Sequence, residues 1–445
     1  MEETIMSVDL KIECEWWGSE DGDKDLSEAC RGAIGIVVGE DCLTRLEDTL
    51  GNTVRNRVNA SAYPLARWFA GNWWRLRWEP ETQYSSRDVD WMLSHSMASA
   101  GEGYSWPNVL FASDGETLAV ASRATRGKSM GPVRYLNEVN TRISAKAFES
   151  GVDAFLTLVL ARLHGEGHRI SDLAELWAEV LKERRDPELS RWRRLEALCG
   201  YDPDEAPKST IEMLVEDRAQ LGAKALEEVA AHGRHESAGA VTSIVELARA
   251  TAKPATGGFR GTIPELKGRP KCHAADRPWQ RATKLAQWAR KEWGLGNGPM
   301  TNQQLADLLG TKAAAFTSRT KAPTPLPIML KSGNGVSVDV YVDSEWATTR
   351  RFACSRLLGD FLAQSGDGRL IPATKAKTVR QAFQRAFAQE FLCPFEALLE
   401  KIQTTDPGEE DIVEAARYFD VSPLMVRTTL VNKGELDREV LSWAD

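Results

Sequence analysis

Two segments decide the reading of this chain: R-R-F-A-C-S-R-L-L-G-D-F-L at Arg350–Leu362 and R-Q-A-F-Q-R-A-F-A-Q-E-F-L-C-P at Arg380–Pro394. Phe352, Ser355, Leu358 and Phe361-Leu362 recur at steps of three and four residues, as do Phe383, Ala386-Phe387 and Phe391. That period places each set on one face of an α-helix. Two helices with such faces are expected to pack together.

A packed helix pair is also the frame of a zincin active site. There the first helix carries H-E-x-x-H: two His one turn apart bind zinc, and the Glu beside them is the general base. The five equivalent positions here are Arg356, Leu357, Leu358, Gly359 and Asp360. The two segments resemble the ImmA/IrrE metallopeptidases of bacteria and their phages, which read R-R-F-x-x-A-H-E-L-G-H and later E-x-E-A-N-x-F-A-A-x-L-L-M-P. This chain keeps Arg350, Arg351, Phe352, Leu358 and Gly359, then Phe387, Ala388, Leu392 and Pro394. The His, Glu and His become Arg356, Leu357 and Asp360, and the third ligand position falls at Gln381–Phe383, where no acid stands. The resemblance covers roughly the last third of the chain. It implies a zincin-like domain without metal, cofactor or catalytic residue.

Size and composition set bounds on the rest. The chain has 445 residues, 42% hydrophobic and 27% charged, with a net charge of −8. That length suits two or three domains, and the negative charge argues against nucleic-acid binding by bulk electrostatics. No apolar run reaches the length of a membrane span, and the acidic Met1-Glu2-Glu3 start lacks a signal peptide's pattern. The seven Cys show no C-x-x-C spacing, so reduced thiols and a cytoplasmic location are expected.

Residues 8–16 alternate apolar and charged residues, the mark of a strand with one wet face. Residues 33–38 give a second strand and 44–60 further ones. Leu65, Trp68, Phe69, Asn72, Trp73 and Leu76 fall at helical spacing, and a short helix follows at 88–98. Asp114-Gly115 joins two strand-like runs as a hairpin. Residues 1–145 therefore read as a small Trp-rich α+β domain; eight of the 15 Trp lie before residue 107. The stretch Y-P-L-A-R-W-F-A-G-N-W-W-R-L-R-W-E-P resembles the front half of uncharacterised bacterial proteins whose back half is ImmA/IrrE-like. Residues 146–251 are helical throughout, with capping residues at Ser171, Asp186 and Ser209. Residues 252–277 are rich in Pro and Gly and carry Lys253, Arg260, Lys267, Arg269 and Lys271, as a linker or ordered surface strap would. Residues 278–445 hold the ImmA/IrrE-like part. They include a hairpin about Ser332-Gly333-Asn334-Gly335 and a tail, Glu409–Leu436, patterned like a helix-turn-helix. The fold class is α+β and predominantly helical.

Several residues invite a functional reading. Arg356 and Asp360, i and i+4, suit an ion pair filling the vacated site, or a grip on an acidic or amide ligand. The loop Gly101–Pro107, with Glu102, Tyr104 and Trp106, is the candidate partner-binding surface of the first part. Trp68, Trp73, Trp74, Trp78, Trp91 and Trp106 at helical spacing read as core before they read as a binding wall. His164-Gly165-Glu166-Gly167-His168 has its Glu misplaced for a zinc motif and reads as a loop. His232 and His235 are expected at the surface near a helix end, and His95 against the Trp-rich helix. In the tail, Arg427 and Lys433 are candidate DNA contacts, and Met300–Lys321 with Arg319 is a lesser one. The expected role is that of a non-enzymatic bacterial or phage sensor or regulator: a pseudo-metallopeptidase binding a protein, peptide or nucleic acid. The alternatives are a helix-turn-helix transcriptional regulator and an enzyme with an unrecognised site around Asp90, His95 and Glu102. The resemblance implies stress response, prophage control or phage defence as the setting, because family members cleave repressors or antitoxins.

Overall fold

The computed structural model describes residues 8–18, 25–81, 88–126, 131–232, 239–249, 257–268, 270–273, 276–318, 321–332, 337–363, 368–404 and 406–437. It is mixed α+β, 51% helix and 18% strand. No described helix is long and apolar enough to cross a membrane. The chain divides into two compact units: Met1–Ile211 with Ala376–Thr378, and Glu212–Lys375 with Val379–Asp445. The helical stretch 146–251 runs across the division between these units. The reason lies in its side chains: Phe148, Val152, Phe155 and Val159 of the first helix belong to the apolar core of the first unit.

In the first unit, β1 (Leu10–Trp16) pairs antiparallel with β2 (Arg31–Val38). β2 also pairs with β3 (Asp41–Cys42) and, after β4 (Leu46–Asp48) and β5 (Thr53–Arg55), with β6 (Val58–Ser61). The hairpin at Asp114-Gly115 is β7 (Asn108–Ser113) with β8 (Thr117–Arg123). Gly115 has φ +98°, and Asp114 Oδ1 accepts from the amides of Glu116 and Thr117 at 3.0 and 2.7 Å. β9 (Val133–Tyr135) pairs with β4, and β10 (Val139–Ser144) with β8. The Trp-rich helical region is two helices, Ala62–Gly71 and Trp73–Trp78, with Ser61 Oγ capping the first. Trp68, Trp73, Trp74, Trp91 and Trp106 are buried, and Phe69 meets Trp68, Phe111 and Phe155 edge-on. The Trp side chains form core, as their spacing predicts.

The second unit holds a four-stranded antiparallel sheet in the order β11 (Gly258–Thr262), β13 (Ser337–Tyr341), β12 (Ile328–Lys331), β14 (Leu370–Pro372). β11 comes from the stretch expected as a linker or strap. It is an edge strand, bolted to β13 where Arg260 grips Asp339 at 2.7 and 2.9 Å. Its glycines have a steric cause: a Cβ on Gly261 would lie 1.7 Å from the carbonyl oxygen of Leu309. Lys253, Arg269 and the Gly333–Gly335 turn lie outside the described residues, as do His235 and Arg319.

Three helices accompany the sheet: Pro278–Glu292, the Arg356 helix (Ala347–Ala363) and the Gln381 helix (Val379–Leu392). The Gln381 helix packs against both others. Gly359 allows the closest crossing, since a Cβ there would lie 2.4 Å from the Phe387 ring. Arg350 and Arg351 are structural bolts. Arg350 donates to the carbonyls of Phe316 and Ser344, and Arg351 to Met300 O and Asn302 Oδ1, both at 2.6 Å. The tail forms helices Phe395–Ile402, Glu409–Phe419 and Pro423–Lys433, the last capped by Ser422 Oγ.

Candidate functional site

The Arg356 helix and the Gln381 helix meet at a cluster of hydrogen-bonded polar groups. Arg356 Nη2 donates to Thr374 O at 2.7 Å and to Gln381 Oε1. Gln381 Oε1 also accepts from Thr374 N at 2.9 Å, so one amide oxygen joins both helices to the segment after β14. One turn on, Asp360 Oδ2 accepts from Arg380 Nε and Gln384 Nε2, each at 2.8 Å. Gln384 Nε2 further donates to Pro372 O at 2.9 Å. The sequence pattern suggested Arg356 as the cation for Asp360. Arg380 supplies a 2.8 Å ion pair to that carboxylate, and Arg356 spends its Nη2 on Thr374 and Gln381. The cause is register: Arg380 and Gln384 are four residues apart on the facing helix, so both reach one carboxylate.

The remaining wall comes from a segment that sequence reasoning did not connect to this site. The Glu228 helix (Ala223–Ala230) buries Ala225, Leu226, Val229 and Ala230, and brings Glu228 Oε2 to Gln381 Nε2 at 2.9 Å. Glu228 itself is buried. Burial, followed by the neighbouring Arg385 guanidinium, pushes Arg356 down to about 9; Glu228 and Asp360 oppose that shift. Burial also lowers Arg385, again with Glu228 opposing.

The donor set does not fit zinc. Catalytic zinc needs about three protein ligands and an open position. Here the carboxylate of Asp360 is engaged by a guanidinium and an amide, and Arg356, a cation, stands one turn before it where the resembled motif has its first His. Leu357, at the general-base position, is fully buried in the apolar core. Among the described residues no cluster of three or more His, Cys, Asp or Glu is arranged to hold a metal ion.

The other candidate residues are placed as follows. Trp106 is 5% exposed and belongs to the core, so the expectation that it presents a recognition surface is corrected. Tyr104 is half-buried, its ring 6.4 Å from that of Trp106, and Glu102 is exposed on a turn at φ +54°. Asp90 and His95 share one network around the buried Arg75: Arg75 bonds Glu79 at 2.7 Å and the half-exposed Asp90 at 2.9 Å, and His95 Nε2 lies 3.7 Å from Glu79. His95 stacks on Trp91 at 4.2 Å, and burial holds it far below the usual imidazole range, at about 3. A fully buried imidazole stacked on Trp91 reads as a packing residue. His164 is exposed and His168 half-exposed around Gly167 at φ +93°, with Glu166 held by Arg162 at 2.8 Å. His232, expected at the surface, is buried in the turn just beyond the Glu228 helix. In the tail, Arg427 is paired with Glu409, and Lys433 Nζ sits 4.9 Å over the Phe395 ring.

Comparison with protein-family models, with characterised proteins and with solved structures finds no match to this chain.

Proposed function

We propose that this chain is a non-enzymatic regulator whose second unit is a pseudo-metallopeptidase, acting in the cytoplasm of a bacterium in stress response, prophage control or phage defence. One observation carries the reading: Arg356, Asp360 and Gln381 converge, and hydrogen-bonding groups close the cleft where metal and water would be needed. A helix frame kept by Arg350, Arg351 and Gly359 while its chemistry is replaced suits a scaffold that binds and does not cut. The partner is a protein or peptide of the kind that active relatives of the resembled family cleave. The helix-turn-helix reading is weaker, because Arg427 is paired within the chain and the first turn of the preceding helix carries Glu409, Glu410 and Asp411.

Metal analysis of protein purified without chelator tests the proposal, together with peptidase assays on unfolded substrates. Well under one zinc per chain and no cleavage are expected. Stoichiometric zinc lost on Asp360→Ala would return the chain to the peptidases. Tight, sequence-specific DNA retention at physiological salt, lost on Arg427→Ala, would favour the transcriptional regulator instead.

A further inference from the structure

We propose that the closed cleft is a carboxylate-recognition site and that Glu228 is its resident occupant in the free chain. The carboxylate of Glu228 reaches Gln381 Nε2 at 2.9 Å from a segment 153 residues earlier in the chain. It is the group that offsets the cost of burying both Arg356 and Arg385. The Glu228 carboxylate accepts from the Gln381 amide and acts electrostatically on two nearby guanidiniums, Arg356 and Arg385, a setting that favours planar oxyanions.

The cleft also has unused capacity. The buried Arg356 Nε and Arg380 Nη2 donate to nothing, and the hydroxyls of Ser355 and Thr374 and the Gln384 Oε1 atom lack partners. Ser355, Thr374 and Gln384 are fully buried. Leaving such buried groups without partners is costly. Their gathering on the Arg356 helix, the Gln381 helix and the segment after β14 marks a polar site and not an ordinary helix interface. The Glu228 helix is a short tether for such an occupant. It spans eight residues, and Gly222 before it, at φ +101°, supplies no side-chain cap.

The proposal rests on the regulator reading for its meaning and gives the partner a chemistry. An Asp or Glu side chain of a bound protein takes the place of Glu228, and the regulator is shut until one arrives. Truncating Glu228 should therefore open a site for small carboxylates. In the full chain, Glu228→Ala should be stabilised by sodium acetate beyond equal sodium chloride, saturably. At acetate ten times its dissociation constant, the folded-to-unfolded ratio rises about elevenfold. N-acetylglutamate amide should act as acetate does, the wild type should respond to neither, and Glu228→Ala with Arg356→Met should lose the response. If Glu228→Ala is unfolded in chloride, its refolding yield in acetate against chloride reads the same binding. Identical behaviour of Glu228→Ala in acetate and chloride would overturn the proposal while leaving the regulator reading untouched. Zinc in the wild type would overturn that reading without bearing on the acetate result.

Discussion

Trp106 and Tyr104 lie two residues apart and answer different questions. Trp106 is in the core of the first unit, so Trp106→Ala should destabilise by about 3–5 kcal/mol, read as a lower urea midpoint. Tyr104 keeps part of its side chain in solvent, so Tyr104→Ala alone can test a recognition role for the Gly101–Pro107 loop without unfolding the unit. His95 gives a second test at this scale. Its folded pKa, about 3, lies below the unfolded value of roughly 6.5. Between those values the unfolded chain binds a proton that the folded unit refuses, so stability falls as pH drops through that window. His95→Asn should be less stable near pH 7 and should show a shallower loss of urea midpoint between about pH 6.5 and 4. An unchanged pH slope would remove His95 from the account. The sequence showed the Trp as core by spacing, but it could not show that Trp106, in a Gly-rich loop, folds back into that core.

At the scale of elements, helix boundaries followed from local chemistry. Ser171 and Asp186 cap the helices expected of them, and Ser61, Thr301 and Ser422 cap others, while Ser209 lies inside the helix Lys208–Glu216 that it was expected to cap. What joins the helices was less legible. Arg380, Gln384 and Arg385 sit on a polar stripe of an otherwise ordinary amphipathic helix, and a solvated face would show the same residues. Glu228 gave still less signal, since it neighbours Glu227 in a run of helix formers. Gly359 is the exception, a mid-helix Gly whose cost to helix stability asks for a packing reason. Gly359→Ala gains up to about 1 kcal/mol of helix propensity but drives a Cβ to 2.4 Å from the Phe387 ring. Overpacking of that sort costs about 1–3 kcal/mol, so net destabilisation is expected. Partial recovery in Gly359→Ala with Phe387→Leu, read by thermal melting, would assign the cost to this crossing. Recovery absent from the pair would point to another cause.

At the scale of the whole molecule, composition and periodicity delivered an α+β, mainly helical protein, but the division into units lay beyond local pattern. A basic, Pro- and Gly-rich stretch looks like a linker because its glycines serve a contact, that of Gly261 with Leu309, that no neighbouring residue reveals. The boundary at residue 278 is correspondingly unsafe. A fragment 278–445 lacks β11 and the Glu228 helix, which exposes the β13 edge and leaves Arg356 and Arg385 without the Glu228 carboxylate. That fragment should aggregate or melt without cooperativity, whereas 212–445 should unfold in one sigmoidal urea transition. Equal cooperativity from the two fragments would show that neither segment matters to the unit.

The 153 residues between Glu228 and Gln381 also set a schedule for biosynthesis. At a ribosomal rate of roughly 5–20 residues per second, Gln381 emerges about 8–30 s after Glu228. For that interval Leu226 and Val229 have no β14 to cover them, and the carboxylate has no guanidinium to meet. Nascent chains stalled before residue 370 should therefore recruit holdase chaperones, while chains released past the Gln381 helix should not.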